Sequence, residues 1–520
     1  MAFGLLIAAM AAAVVVGMLL GGGATPTKLA DAGDIVRWGL PLAKGLTNLG
    51  TALAIGSLAF AAFALSAKTP QLTKAMNLAA VGAGVWTIFG AVSFLFTYLS
   101  VTGSAFSTSD SFGQSLWLFA TTIELGRYLA MNLIAGAILT ILALSFQSLT
   151  ASLLLAAFGL LGLVPIALTG HAAGAANHAM AVNSIGLHLV AVTIWVGGLV
   201  ALVAVRDADA ERQANLVKRY STLALLAYLV VAISGIAVSM INLGKFENLF
   251  TPYGWLVLLK AGALLLLGAI GGHYRVRLIG KMATLPAKAK EFWLIVIGEL
   301  LVMGAAVGLG TALSRTAPPQ DPLASFVPTP ASILTGEPLP SELVASSWFT
   351  AWKIDLLWLV IAVGAIAIYL FGVWRLRRRG DKWPVVRTLS WVGGWLFLIY
   401  ITCGAPNVYE MYLFSVHMTA HMMLTMGVPL LLVPGAPVTL LMRAAKKRKD
   451  GSNGLREWAL WAVHTKWAQL VSNPIFAGIN FAASLVIFYF TPIFGWATRE
   501  HVGHEWMIIH FVITGYLFIQ

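Results

Sequence analysis

Residues 411–426 read MYLFSVHMTAHMMLTM. The stretch is apolar enough for a membrane, yet it holds His417 and His421. Four positions apart, the two stack one turn from each other on one face of a helix. Met411, Met418, Met422, Met423 and Met426 surround them. Imidazole with thioether makes a soft donor set, which suits copper and above all Cu(I). The competing explanation is plain packing, because methionine also fills core gaps. The rest of the chain decides between the two.

Six of the other eight histidines form two sets. His171, His178 and His188 lie in TGHAAGAANHAMAVNSIGLHLVAVTIWVGG, residues 169–198, where dense Gly and Ala let the backbone bend. His501, His504 and His510 lie near the end of the chain, and His504, Met507 and His510 step by three along one broad helical face. If that helix packs on the one carrying His417 and His421, four soft donors converge at similar depth, with Met418, Met422, Met507, Cys403 and His501 as possible accessory donors. Gly197 and Gly198 are expected at a close helix contact, and Trp195 and Trp255 at the membrane interface. Glu410 and Glu505 are expected to mark that interface too. Glu124 and Arg127 are expected to pair. Lys260 and Glu299 fall inside apolar runs, where ionisable residues are functional candidates. A snorkelling or capped Glu299 is expected ahead of a proton-carrying one.

The elements that must position these groups are membrane helices. Of 520 residues, 59% are hydrophobic and 10% charged, and the mean hydropathy is +0.86; soluble domains carry about 25% charged residues. Apolar runs long enough to span lie near 3–23, 48–67, 76–100, 125–146, 152–170, 182–205, 219–242, 253–274, 292–313, 353–375, 388–405, 411–433 and 475–493. A fourteenth begins near Glu505 and stops at Gln520, so the chain is expected to continue beyond it. The first run lacks the basic start of a signal peptide and is expected to be retained. The fold class is therefore all-α, a polytopic bundle of about 14 spans in two membrane domains. One cysteine excludes a disulfide framework and cysteine-built metal clusters. No P-loop, dinucleotide fingerprint or HExxH occurs.

Lys and Arg set the expected orientation. They concentrate in the even-numbered connections: Lys68 and Lys74; Arg206 to Arg219; Arg275 to Lys290; Arg375 to Arg387; Arg443 to Lys466. Those connections and the N-terminus are expected in the cytoplasm. The first connection, with Lys28, Arg37 and Lys44, is an exception, and the ninth carries Arg315. The net charge of +13 thus speaks for topology and anionic lipid head groups rather than nucleic acid. Leu455, Trp458, Trp461 and Trp467, interleaved with basic residues, predict an amphipathic helix on the inner leaflet. The Pro-rich segment after Ser314, including Pro322 and Pro328, predicts an extended outer linker. With this topology eight of the ten histidines fall on or near the outer side, and His273 and His464 face inward. That separation favours a metal at the outer face.

Two regions resemble known families. GHA at 170–172, LHLVAVTIWVGGL at 187–199 and YGWLVLLK at 253–260 resemble the CopD copper-resistance family. HMTAHM at 417–422, TPIFGWA at 491–497 and HEWMIIHF at 504–511 resemble the CtaG family of cytochrome oxidase assembly proteins. The fused order is similar to actinobacterial CopD–CtaG proteins. The expected organisation is N-terminal membrane helices (1–150), a CopD-like domain (151–313), the outer linker (314–347) and a CtaG-like domain (348–520). The resemblance implies copper transport by the first half, with His171, His178, His188 and Trp195 matching. For the second half it implies copper delivery to a haem–copper oxidase, with His417, His421, His504 and His510 matching.

The expected function is thus a non-enzymatic copper handler of the plasma membrane, taking copper, expected as Cu(I), at the outer face. Its expected partners are cytochrome c oxidase subunits or other copper chaperones. The histidines also permit a haem-binding electron carrier, and Lys260 with Glu299 permit a proton-coupled transporter.

Overall fold

The computed structural model describes residues 2–26, 31–169, 178–206, 209–277, 286–319, 329–335 and 337–520. Lys28, His171, Lys281, Pro322 and Pro328 lie outside the described residues. Among those described there is no strand, only an isolated bridge between Ser66 and Ser452. Among the described residues thirteen helices are long and apolar enough to cross a membrane, and a bent pair makes a fourteenth candidate. The chain is an all-α, multi-pass membrane protein.

Two compact units form. The first comprises residues 1–173, 184–321 and 450–453. Its helices are α1 (Ala2–Leu20), α2 (Asp34–Ala64), α3 (Pro70–Thr102), α4 (Asp110–Thr121), α5 (Glu124–Ser145), α6 (Leu149–Leu161), α7 (Val164–Ala167), α8 (His178–Ala204), α9 (Ala210–Leu243), α10 (Pro252–Arg277) and α11 (Pro286–Leu313). Residues 178–183 of α8 group with the second unit. Small residues set the close approaches. A Cβ on Gly197 of α8 would lie 1.7 Å from the Ala52 carbonyl of α2, so only glycine lets these backbones meet as the sequence leads one to expect.

Three expectations change in this unit. α2 starts at Asp34, well before residue 48, so Arg37 and Lys44 are helical rather than in a loop. Arg37 is matched there by Asp31 and Asp34. Glu124 accepts a hydrogen bond from the Tyr128 hydroxyl at 3.0 Å, one turn on, and no salt bridge to Arg127 forms among the described residues. Trp195 is buried and meets Tyr228 edge to face at 5.7 Å, so it is a packing residue and not an interface anchor.

The second unit comprises residues 174–183, 322–449 and 454–520. Its helices are α12 (Pro330–Thr335), α13 (Ser347–Thr350), α14 (Leu356–Arg377), α15 (Val385–Cys403), α16 (Ala405–Tyr409), α17 (Phe414–Met422), α18 (Val428–Leu432), α19 (Pro437–Ala444), α20 (Leu455–Val463), α21 (Lys466–Val471), α22 (Pro474–Phe490), α23 (Pro492–Arg499) and α24 (His501–Ile519). Local chemistry places the boundaries. Asp355 caps α14 by accepting from the amides of Leu357 and Trp358. Thr491 is extended, the conformation favoured before proline, and Pro492 opens α23. That junction bends α22 from α23 by 76°. The single amphipathic helix expected over 455–467 is two short helices, because Thr465 caps α21 through Ala468. Trp458 is buried and Trp467 is 76% exposed.

The histidine segment is not one regular helix. α17 runs into a π-helical turn over Met423–Gly427 before α18. Pro429 lacks the N–H that would bond the Thr425 carbonyl, so the ladder is interrupted there. The Thr425 hydroxyl turns back to donate to the His421 carbonyl at 2.6 Å. α24 closes on this turn, and a Cβ on Gly515 would lie 1.8 Å from the Thr425 oxygen.

Candidate metal centre

Packing of α24 against α17 brings soft donors together. His417 and His421 are 3% and 0% exposed, with ring centroids 4.3 Å apart, as their spacing predicts. His421 Nε2 lies 2.8 Å from the Sδ of Met507 on α24. Its Nδ1 lies 2.7 Å from the Tyr489 hydroxyl, carried by the end of α22. Phe488, Phe494 and Phe511 pack against these two rings, giving an apolar wall. His417 Nε2 is buried with no hydrogen-bond partner. Buried polar atoms are nearly always partnered, so an orphaned imidazole nitrogen calls for a ligand. Beside a second imidazole and a thioether, it fits a soft cation.

Tyr489 decides what His421 can do. A Tyr489 hydroxyl donating to Nδ1 leaves the proton on Nε2, pointing at Met507. With Nδ1–H donating to the phenol oxygen instead, the Nε2 lone pair faces Met507 and can take a metal. Tyr489 was not visible as a site residue in the sequence. The signal that leads to it is the Thr-Pro step after Phe490, which ends α22 beside α17.

The remaining donors are placed differently. His504 Nε2 lies 3.5 Å from Glu410 Oε1. Glu410, expected at the interface, is 8% exposed. Burial pushes its carboxyl up to about 8, against the pull of Lys353. His510 stacks on Trp506 with centroids 4.8 Å apart. Met422 is 36% exposed and Met418 half-buried, so Met507 is the thioether that reaches His421. Cys403 is held by the backbone of Asp355, accepting from its amide at 3.4 Å; that is a structural role. Among the described residues no three His, Cys, Asp or Glu side chains gather closely enough to hold a metal ion. The soft set therefore depends on Met507.

A hydrogen-bonded group lies along α24 from it. The Asn183 amide donates to both oxygens of Asp355 at 3.0 Å and to Glu505 Oε1 at 2.7 Å. Trp358 Nε1 donates to Glu505 Oε2 at 2.7 Å. His501 Nε2 lies 2.9 Å from Asn183 Oδ1, and its ring meets His178 edge to face at 5.8 Å. Burial raises the Asp355 carboxyl, with the Trp358 and Leu357 amides and Asn183 opposing. Glu505 is thus a buried network member, not an interface marker. His501 is engaged with Asn183, which makes it a poor accessory donor. Asp355 and Asn183 gave no sequence signal, because each reads as an ordinary cap or small polar residue.

In the first unit, His188 Nδ1 lies 3.2 Å from Ser234 Oγ, whose own proton goes to the Val230 carbonyl at 2.6 Å. Nδ1 therefore carries a proton and Nε2 keeps its lone pair, the form a metal ligand needs. Among the described residues no cluster of metal-binding His, Cys, Asp or Glu side chains includes His188. Glu299 is 1% exposed and its Oε2 has no partner, so it neither snorkels nor is capped on that oxygen.

Three family models match parts of the chain. Residues 30–181 match the model for a copper resistance protein D-like N-terminal domain, and residues 214–313 that for copper resistance protein D. Residues 367–520 match the cytochrome c oxidase caa3 assembly factor. An uncharacterised protein of Mycobacterium leprae is 40% identical over 192 residues, 36% of this chain and 28% of that relative. One of Mycobacterium bovis is 41% identical over 191 residues, with the same shares. Copper transport protein CutJ of Bacillus subtilis is 32% identical over 161 residues, 29% of each chain. The chain thus spans less than a third of the length of these relatives. No solved structure matches. One polypeptide therefore carries, in order, matches to the two copper resistance protein D models and to the cytochrome c oxidase caa3 assembly factor model.

Proposed function

We propose that this chain handles copper at the outer face of the plasma membrane and passes it to a haem–copper oxidase during assembly. The observation that carries the reading is the unpartnered, buried Nε2 of His417 beside His421 and Met507. Two imidazoles and a thioether in an apolar wall favour Cu(I), because the soft sulfur discriminates against hard cations. His417 and His421 would bind the ion as cargo, with Met507 as third donor. Tyr489 would hold His421 in the binding tautomer. His504, turned toward Glu410, stands close by on α24 as a further donor. His188 would serve uptake in the first unit. The family matches support copper handling and oxidase assembly as the setting.

The test is Cu(I) binding by the purified chain, read by competition with a chromogenic chelator. His417→Ala, His421→Ala and Met507→Leu should each weaken binding by ~10–100-fold or more, comparable to or above the loss of a supporting residue. In cells, His421→Ala should leave the oxidase short of copper at every copper level, whereas added copper should rescue His188→Ala. Excess metal bypasses an uptake step but not a missing delivery site. Normal oxidase copper in His421→Ala would remove the second unit from delivery. A Soret band in the purified protein would point to the haem-carrying alternative.

A further inference from the structure

Two groups of basic residues break the alternation of Lys and Arg between connections. Arg37 and Lys44 lie early in α2, and Arg315 follows α11. An even number of membrane-length helices, α2 included, separates them. They therefore return to one side of the bundle, and the first unit brings Arg37 and Arg315 to one place. Thr25, Asp31, Arg37, Ser100 and Arg315 line a small recess that opens to solvent.

The charges lining it do not balance. Arg37 is satisfied: Nη1 lies 2.5 Å from Asp34 Oδ1, and Nη2 pairs with Asp31. Arg315 is not. Its Nη1 donates to the neutral Ser100 hydroxyl at 3.3 Å, and its Nε is buried without a partner. Among the described residues no carboxylate pairs with it. Burial holds its guanidinium below its usual range, but a guanidinium stays charged in proteins. A partly buried, unpaired cation with an orphaned N–H costs stability unless something supplies the missing acceptor.

We propose that this recess binds a phosphate-type oxyanion through the guanidinium of Arg315, with the Ser100 hydroxyl beside it. Guanidinium presents N–H donors in a rigid plane that matches two oxygens of one phosphate. The recess lies where α1, α3 and α11 end and α2 begins, the level of the lipid head groups. The same chemistry serves the phosphodiester of an anionic lipid or free inorganic phosphate. Arg315, which topology alone leaves unexplained, then has a task. The site is independent of the copper reading.

The experiment uses the full chain in a maltoside detergent and phosphate-free buffer, with two probes added separately. Inorganic phosphate is titrated against sodium chloride of equal ionic strength, and phosphatidylglycerol is added below its own phase limit. Unfolding midpoint and native mass spectrometry report binding. One or both probes should bind and raise the midpoint, and Arg315→Gln should weaken that binding about tenfold. A response to phosphate identifies the free anion, and a response to the lipid alone identifies a head group. Should Arg315→Gln fail to fold, Arg315→Lys decides. It keeps the charge but loses the planar fork, so affinity should still fall. Neither probe binding the wild type, or unchanged binding in the folded Arg315 variant, would overturn the proposal.

Discussion

Gly515 of α24 packs on the Thr425 carbonyl so closely that a Cβ there would lie 1.8 Å from the oxygen. The contact clamps α24 to the π-helical turn that follows His421. It also sets the height at which Met507 meets that histidine. Gly515→Ala should therefore push the helix away, costing ~1–3 kcal/mol as overpacking does. It should also open the 2.8 Å approach of His421 to Met507. Thermal unfolding and Cu(I) competition are the measurements. A variant with wild-type stability and wild-type Cu(I) affinity would show that the clamp does not position the site.

Tyr489→Phe removes one hydroxyl 2.7 Å from His421 Nδ1 and little else. The chain should fold, and Cu(I) affinity should fall by ~10–100-fold, the usual effect of losing the group that orients a histidine ligand. Nitrogen NMR of labelled histidine should show His421 losing its preference for one tautomer. An unchanged tautomer and affinity would assign Tyr489 to packing alone.

Glu410 provides a pH signature. Burial raises its carboxyl from 4.5 to about 8. Between those values the folded chain holds a proton that the unfolded chain has released. Its contribution to stability is thus full at low pH and is lost as pH rises through that window. The unfolding midpoint of the second unit should fall from pH 5 to pH 8 more steeply in wild type than in Glu410→Gln. Parallel profiles would mean that Glu410 titrates normally.

Orientation has a direct check. His178 and Arg378 should label from opposite sides of the membrane when each is replaced by cysteine, because basic connections stay in the cytoplasm. Cys403 is 2% exposed and adds little background. Labelling of both positions from one side would reverse the assignment of the alternating loops.

The approximate positions of the membrane-length helices were legible in the sequence. A bilayer demands about 20 apolar residues per helix wherever they occur, so the runs could be located without knowing what packs on them. The pairing of His417 with His421 was legible too, because four residues are one helical turn. Arg37 and Lys44 were misassigned to a loop because charged residues near a helix end do not look like part of a span. Only tertiary structure decided that the thioether at His421 is Met507, 86 positions away, rather than Met418 or Met422. It alone placed Tyr489 on Nδ1, joined Asn183 to Asp355 and Glu505, and brought Arg315 to Arg37. The physical reason lies in the helices themselves. In water an apolar stripe shows which face a helix buries, but helices apolar on all sides carry no such stripe. Which faces meet is then settled by small residues such as Gly197 and Gly515 and by interrupted turns such as that at Pro429. These act through contacts that no local spacing encodes.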